Sequence, residues 1–184
     1  MIRLKVARKH PRILTVAEVQ AILDGCDRRR DRFPLAVLHG TGMRIGEALG
    51  LRHEDWAIPE RQVLIVPRRN DNGARSQSGR PRRIPVSADL VRLYADYLHA
   101  EYGEVDSDYV FVNLWGEPRG HPLSYAAVYD LVRRLRRRTS VDFDPHWNRH
   151  TYATALLRAG TPVEVVSSLL GHASVTTTLP STAI

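Results

Sequence analysis

The chain has 184 residues, 43% of them hydrophobic, and a formal net charge of +7. That length fits one domain, the apolar share supports a real core rather than a disordered basic tail, and the positive excess favours nucleic acid as partner. Cys26 is the only cysteine, which excludes a disulfide framework or a cysteine-based zinc site.

Residues 1 to 14 are basic, contain Pro11, and read as a linker or arm. Thr15 and Glu18 have the spacing of a capping box, and Val19, Ile22 and Leu23 follow at helical intervals. A second helix is expected over 33–39, with Pro34 in its first turn. Gly40-Thr41-Gly42 interrupts it, and a short helix is expected over 43–51. Gln62 to Val66 and Arg82 to Val86 read as paired strands. Between them, 67–81 is rich in Arg, Asn, Gly and Ser. With no large apolar anchor, it is expected to be a mobile polar hairpin loop. Ser87 should cap a helix to about Tyr102, and Tyr109 to Val112 reads as a short strand or extended link. Ser124 to Arg138 has helical periodicity in Ala127, Leu131 and Leu135. Asp144 and Pro145 suit the cap and first position of a helix to about Ala159, and Pro162 to Leu170 should form another, ended by Gly171. The expected fold is mainly α with a small antiparallel β-sheet (α+β).

Four segments carry candidate chemistry. In Thr41-Gly42-Met43-Arg44-Ile45-Gly46-Glu47, Glu47 lies three residues after Arg44, where a carboxylate can orient a guanidinium. In Asp144-Pro145-His146-Trp147-Asn148-Arg149-His150, His146 and Arg149 share the start of a helix, whose free N–H groups favour an oxyanion. Leu170-Gly171-His172 ends the next helix, and the loop around Arg75-Ser76-Gln77-Ser78-Gly79-Arg80 offers positive charge. Each taken alone also has a plain structural reading: a surface ion pair, a structural histidine, a helix cap, a solvated loop.

Taken in order and spacing, these segments resemble the tyrosine recombinases, or phage integrases, from about Lys9 to Thr178. The resemblance implies their catalytic-domain fold over 15–178, preceded by the 1–14 linker and followed by an altered tail, 179–184. It implies that Arg44, Arg149 and His172 grip the scissile phosphate, that His146 carries protons, and that Glu47 orients the shell around them. Arg75 and Arg80 would add DNA contacts. In the family a tyrosine hydroxyl attacks phosphorus, leaving a 3′-phosphotyrosine and a free 5′-hydroxyl, so rejoining needs no ATP. Neither cofactor nor metal is implied. The implied partners are double-stranded DNA and further recombinase protomers, in the cytoplasm, with no membrane segment.

The sequence departs from the family twice. The hairpin lysine is replaced by Gln77, with no lysine after Lys9, and Ser181 stands at the expected position of the tyrosine. The helical domain that usually precedes this one is not recognised. The family function is site-specific recombination, with this chain expected to be inactive. The alternatives are a non-catalytic DNA-binding remnant or regulator of the same fold, and a metal-dependent nuclease, for which no metal-ligand motif is present.

Overall fold

Helices begin where the sequence supplies a capping side chain. The computed structural model of the chain describes residues 12–172. Thr15 accepts from the Glu18 amide while the Glu18 carboxylate accepts from the Thr15 amide, and α1 spans Val16–Asp24. Ser87 opens α4 (Ala88–Tyr97) and Ser124 opens α5 (Tyr125–Thr139), each accepting an amide three residues on at 3.1 Å. Asp144 accepts from the His146 amide at 2.9 Å, and Pro145 starts α6 (Pro145–Arg158). The remaining helices are α2 (Arg29–Thr41), α3 (Ile45–Leu49) and α7 (Val163–Leu170). Past Tyr97 the α4 backbone widens into a π turn, Leu98–Tyr102. No helix among the described residues is long and apolar enough to cross a membrane.

Helix α2 begins four residues earlier than its own sequence indicates. The reason lies outside it: the Glu101 carboxylate accepts the Arg29 and Arg30 amides at 2.7 and 2.8 Å. A charge-assisted cap at the positive end of a helix stabilises a first turn that local residues would not. Pro34 therefore sits inside the helix, not in its first turn. Phe33 anchors the core. Its ring centroid lies 5.4 to 5.7 Å from those of Trp56, Tyr94, Tyr97 and Phe111. These rings fix α2 against α4, while its other side packs on α6.

The three strands β1 (Trp56–Ala57), β2 (Gln62–Ile65) and β3 (Arg82–Pro85) form an antiparallel sheet in that order. Val63 pairs with Ile84, and both are fully buried. The expected pairing holds; the two-residue β1 was not anticipated. Tyr109 and Val112 make isolated bridges to Arg52 and Pro122, so that segment is an extended link.

The hairpin loop corrects the expectation of a wholly mobile arm. Its first half is held by polar anchors in place of apolar ones. Arg68 grips Asp55 at 2.6 and 2.7 Å, Asn70 accepts from Arg52, and Asn72 donates to the carbonyls of Leu49 and Leu123. Ala74 is buried. Beyond it, Gln77 and 79–81 stay exposed. The linker is not wholly free either: the Leu14 amide donates to Thr151 on α6, and Arg12 lies over the Trp147 ring.

Gly42 closes α2 in the left-handed region, φ 65°, and a Cβ there would strike the Tyr152 ring. Gly42→Ala should lower stability by roughly 2 kcal/mol, combining backbone strain with overpacking. A chemical-denaturation midpoint equal to that of the parent would refute this.

Candidate functional site

Arg44 stands at the mouth of α3, just after the Gly42 turn. The Glu47 carboxylate accepts the Arg44 amide at 2.9 Å and lies 3.6 Å from the Arg44 guanidinium. The Glu47 side chain is fully buried, so that carboxylate needs partners. Its closest partner is Arg82 on β3, which donates to both oxygens at 2.8 and 2.7 Å. Ser76, from the hairpin, donates to one of them at 3.2 Å. Burial alone would raise the Glu47 pKa. The Arg82 fork, the Arg82 charge and the Arg44 amide outweigh it and hold the carboxyl below its ordinary value.

Arg149 comes from the first turns of α6 and is 5% exposed. Its terminal nitrogens donate to two backbone carbonyls, Gly42 at 2.9 Å and Leu170 at 2.6 Å. The Leu170 carbonyl is one of the unpaired acceptors at the negative end of α7. Burial, reinforced by the charge of Arg44, pushes the Arg149 pKa down to about 9. It still carries its proton at neutral pH; burial is the main cause of the shift, and the charges of Arg44 and Arg82 add to it.

Arg44, Gln77, His146 and Arg149 line one cavity of about 180 Å³, together with Tyr129. Arg44 and Gln77 also border an adjoining cleft with Arg80, Arg82 and His172. Arg44, His146 and Arg149 thus share one cavity, and His172 lines the cleft that meets it at Arg44 and Gln77; the two together are termed the basic hollow. Burial first, then Arg149, lowers the His146 pKa. Burial, then Arg149, Arg44 and Arg82, lowers that of His172 to about 4. Both imidazoles are neutral at pH 7 when the hollow is empty.

Not every predicted residue reaches it. Arg75 is exposed and lines a separate cleft of the hairpin with Arg68 and Arg69. Ser181 lies outside the described residues. Among those residues no group of three His, Cys, Asp or Glu side chains gathers as a metal ion would require.

Two lining residues were missed. Tyr129, on α5, is 41% exposed, and burial and then the Asp144 charge raise its phenol pKa, keeping it a hydrogen-bond donor. Arg82 had a readable signal. It shares strand parity with Ile84, so if Ile84 points into the core, Arg82 does too. An inward arginine demands a buried acid, and Glu47 is that acid.

The sequence pattern of the phage integrase family matches residues 12–181. Transposase A from transposon Tn554 of Staphylococcus aureus is 44% identical over 181 residues, covering 97% of this chain and 50% of its own length. Tyrosine recombinase XerA of Pyrococcus horikoshii is 33% identical over 174 residues, covering 95% of this chain and 57% of its own. The chain thus spans about half the length of these relatives. A crystal structure of XerA recombinase superposes with TM-score 0.78 at 25% identity, over 98% of this chain and 61% of that one. The Tn1549 transposon integrase in complex with circular intermediate DNA shares the fold at TM-score 0.76 and 21% identity, over 98% of this chain and 64% of that one.

Among the described residues, burial lowers the pKa values of His39, His53, His146, His150 and His172. The unfolded chain then binds protons that the folded chain does not between the ordinary value of 6.5 and, for His172, about 4. Folding stability should fall as pH drops through that window. Urea midpoints at about pH 7.5 and about pH 5 test this, and a midpoint at the lower pH equal to or above the other would contradict it.

Proposed function

The chain belongs to the phage integrase family, and on that footing we propose that it is the catalytic domain of a site-specific DNA recombinase whose hollow grips a phosphate of double-stranded DNA. One observation carries the reading. Arg44 and Arg149, distant in sequence, border a single cavity with His146, while the buried Glu47 carboxylate beside Arg44 is already satisfied by Arg82, and Asp144 caps α6 at the cavity's edge. A buried surplus of cations is costly unless an anion completes it. Phosphoryl transfer spreads negative charge over the non-bridging oxygens, and fixed guanidiniums stabilise that charge without a metal.

In this reading Arg44, Arg149 and His172 hold the oxygens and His146 carries a proton. Glu47 holds Arg44 in place. Arg80, at the exposed tip of the hairpin, contacts DNA, as does Arg75 from its neighbouring cleft. Partner protomers assemble on the same DNA, in the cytoplasm.

Two positions set the outcome for this chain. Gln77 borders the hollow where the resemblance expects a lysine, and a carboxamide donates a hydrogen bond but gives up no proton. Ser181 occupies the tyrosine position. An alkoxide is far harder to form than a phenolate, whose parent has a pKa of about 10, and no adjacent base in 178–182 would activate it. The chain as it stands therefore binds DNA without forming a covalent link to it.

Two measurements test this. Duplex binding should be weak and salt-dependent. Arg44→Ala should weaken it roughly tenfold at low salt and reduce the slope of log K against log salt by about 1. Affinity indifferent to Arg44 would remove the phosphate grip. A nicked suicide duplex should yield no protein–DNA adduct on a denaturing gel; a shifted band would refute the non-covalent reading, and mass spectrometry would identify the attached residue.

A further inference from the structure

Strand β3 turns two alternate side chains into the domain. Ile84 is fully buried, and the Arg82 side chain on the same face is 8% exposed. Three N–H groups of that guanidinium are used on two different helices. The two terminal nitrogens take the Glu47 carboxylate of α3, and Nε donates to the Leu169 carbonyl at the end of α7 at 2.8 Å. Gly171, in the left-handed region at φ +70°, leaves the room: a Cβ there would lie 2.8 Å from Arg82 Nη1 and 3.0 Å from Cζ. His172 follows at once, its amide closing on the Ser167 carbonyl at 3.0 Å.

The carbonyls at the end of α7 are thus divided between two arginines. Leu169 is held by Arg82 from the sheet, and Leu170 by Arg149 from α6. Arg149 reaches Leu170 and Gly42, but nothing on it touches α3 or Glu47 by hydrogen bond. Arg82 thus joins the Glu47 carboxylate to the end of α7, three residues before His172.

We propose that Arg82 is a positioning residue, which clamps α3 to the last turn of α7 so that Arg44 and His172 face one anion. This rests on the phosphate-gripping reading of the hollow. The clamp needs the planar fork. A lysine ammonium keeps the charge but cannot span two carboxylate oxygens and a carbonyl on its other edge. Arg82 also opens β3 directly behind the exposed tip of the hairpin, so a displacement of that tip bears on the clamp first.

The test uses the full chain, isotopically labelled, as the parent and as Arg82→Lys and Arg44→Ala. Three quantities are read by NMR: amide exchange at Gly171 and His172, the titration of the His172 imidazole, and affinity for inorganic phosphate. In Arg82→Lys the two amides should exchange roughly tenfold faster or more, since their local opening no longer breaks the clamp. Its His172 titration should move toward the ordinary imidazole value, and phosphate affinity should fall roughly tenfold although net charge is unchanged. A role in charge alone predicts the opposite, with Lys equivalent to Arg in all three. Parent-like exchange and titration in Arg82→Lys would overturn the proposal. If Arg44→Ala binds phosphate as the parent does, the phosphate reading fails while exchange and titration still decide the role of Arg82. Should Arg82→Lys not fold, Glu47→Gln breaks the same clamp from its other end; it should also speed exchange at Gly171 and His172, and unchanged exchange there would overturn the proposal.

Discussion

The Glu47 carboxylate is the point on which the basic hollow depends. It is a single buried negative charge among three arginines, with Arg82 in direct contact on both oxygens and Arg44 at 3.6 Å. Without it, the guanidiniums of Arg44, Arg82 and Arg149 would converge with only the half-buried Asp144 carboxylate at the edge of the cavity as counter-charge, and burial of unpaired cations is costly. With it, the cluster keeps a net positive charge but is partly compensated. The remaining compensation is drawn from backbone dipoles: the carbonyls of Gly42, Leu169 and Leu170 each accept an arginine N–H. Carbonyls at a helix end carry partial negative charge that water would otherwise satisfy. The arrangement holds cations in place with acceptors that cannot be withdrawn, while leaving the hollow itself positive.

That geometry requires a rigid platform, and the aromatic cluster supplies it. Phe33 fixes α2 against Trp56, Tyr94, Tyr97 and Phe111, so the far end of α2, where Gly42 turns the chain toward Arg44, has little freedom. Helix α6 packs on the same α2 and delivers Arg149 back to the Gly42 carbonyl. Two arginines from distant parts of the sequence are thereby located relative to one helix. The apolar core reaches the cavity at Met43 and Ile45 and sets the distance across it.

Most of the architecture could be read locally. Thr15, Ser87, Ser124 and Asp144 mark helix starts because the cap is made within three residues, and the strand pair shows in alternating apolar positions. What could not be read depends on remote contact. The start of α2 is set by Glu101, 72 residues on. The hairpin has the composition of a mobile loop, but Asn70, Asn72 and Arg68 find partners on three other segments. The convergence of Arg44, His146, Arg149 and His172 was expected from the family pattern, since spacing alone leaves ordinary structural readings open for each. Arg82 is the informative exception: its strand parity with Ile84 points it inward, toward a buried acid that only the fold identifies as Glu47.

The positions that hold a phosphate and the positions that do chemistry on it have different physical requirements. On the proposed reading, holding asks for fixed charge, which Arg44 and Arg149 supply at any pH near neutrality. Chemistry asks for a group that exchanges a proton and one that attacks. Gln77 borders the hollow as the first of these and has no proton to exchange. His172, with its pKa pushed down to about 4, is neutral when the hollow is empty, but an anion seated among the same arginines favours the imidazolium and draws that value upward. If the hollow binds phosphate as proposed, anion binding and proton uptake at His172 are linked: the phosphate is held more tightly as the medium becomes more acidic, until it is itself protonated or the folded state is lost. On the proposed reading, a site built in this way can retain its grip after its reacting groups have changed, because the gripping guanidiniums of Arg44 and Arg149 are held by Glu47 and by the Gly42 and Leu170 carbonyls rather than by the residues that would react.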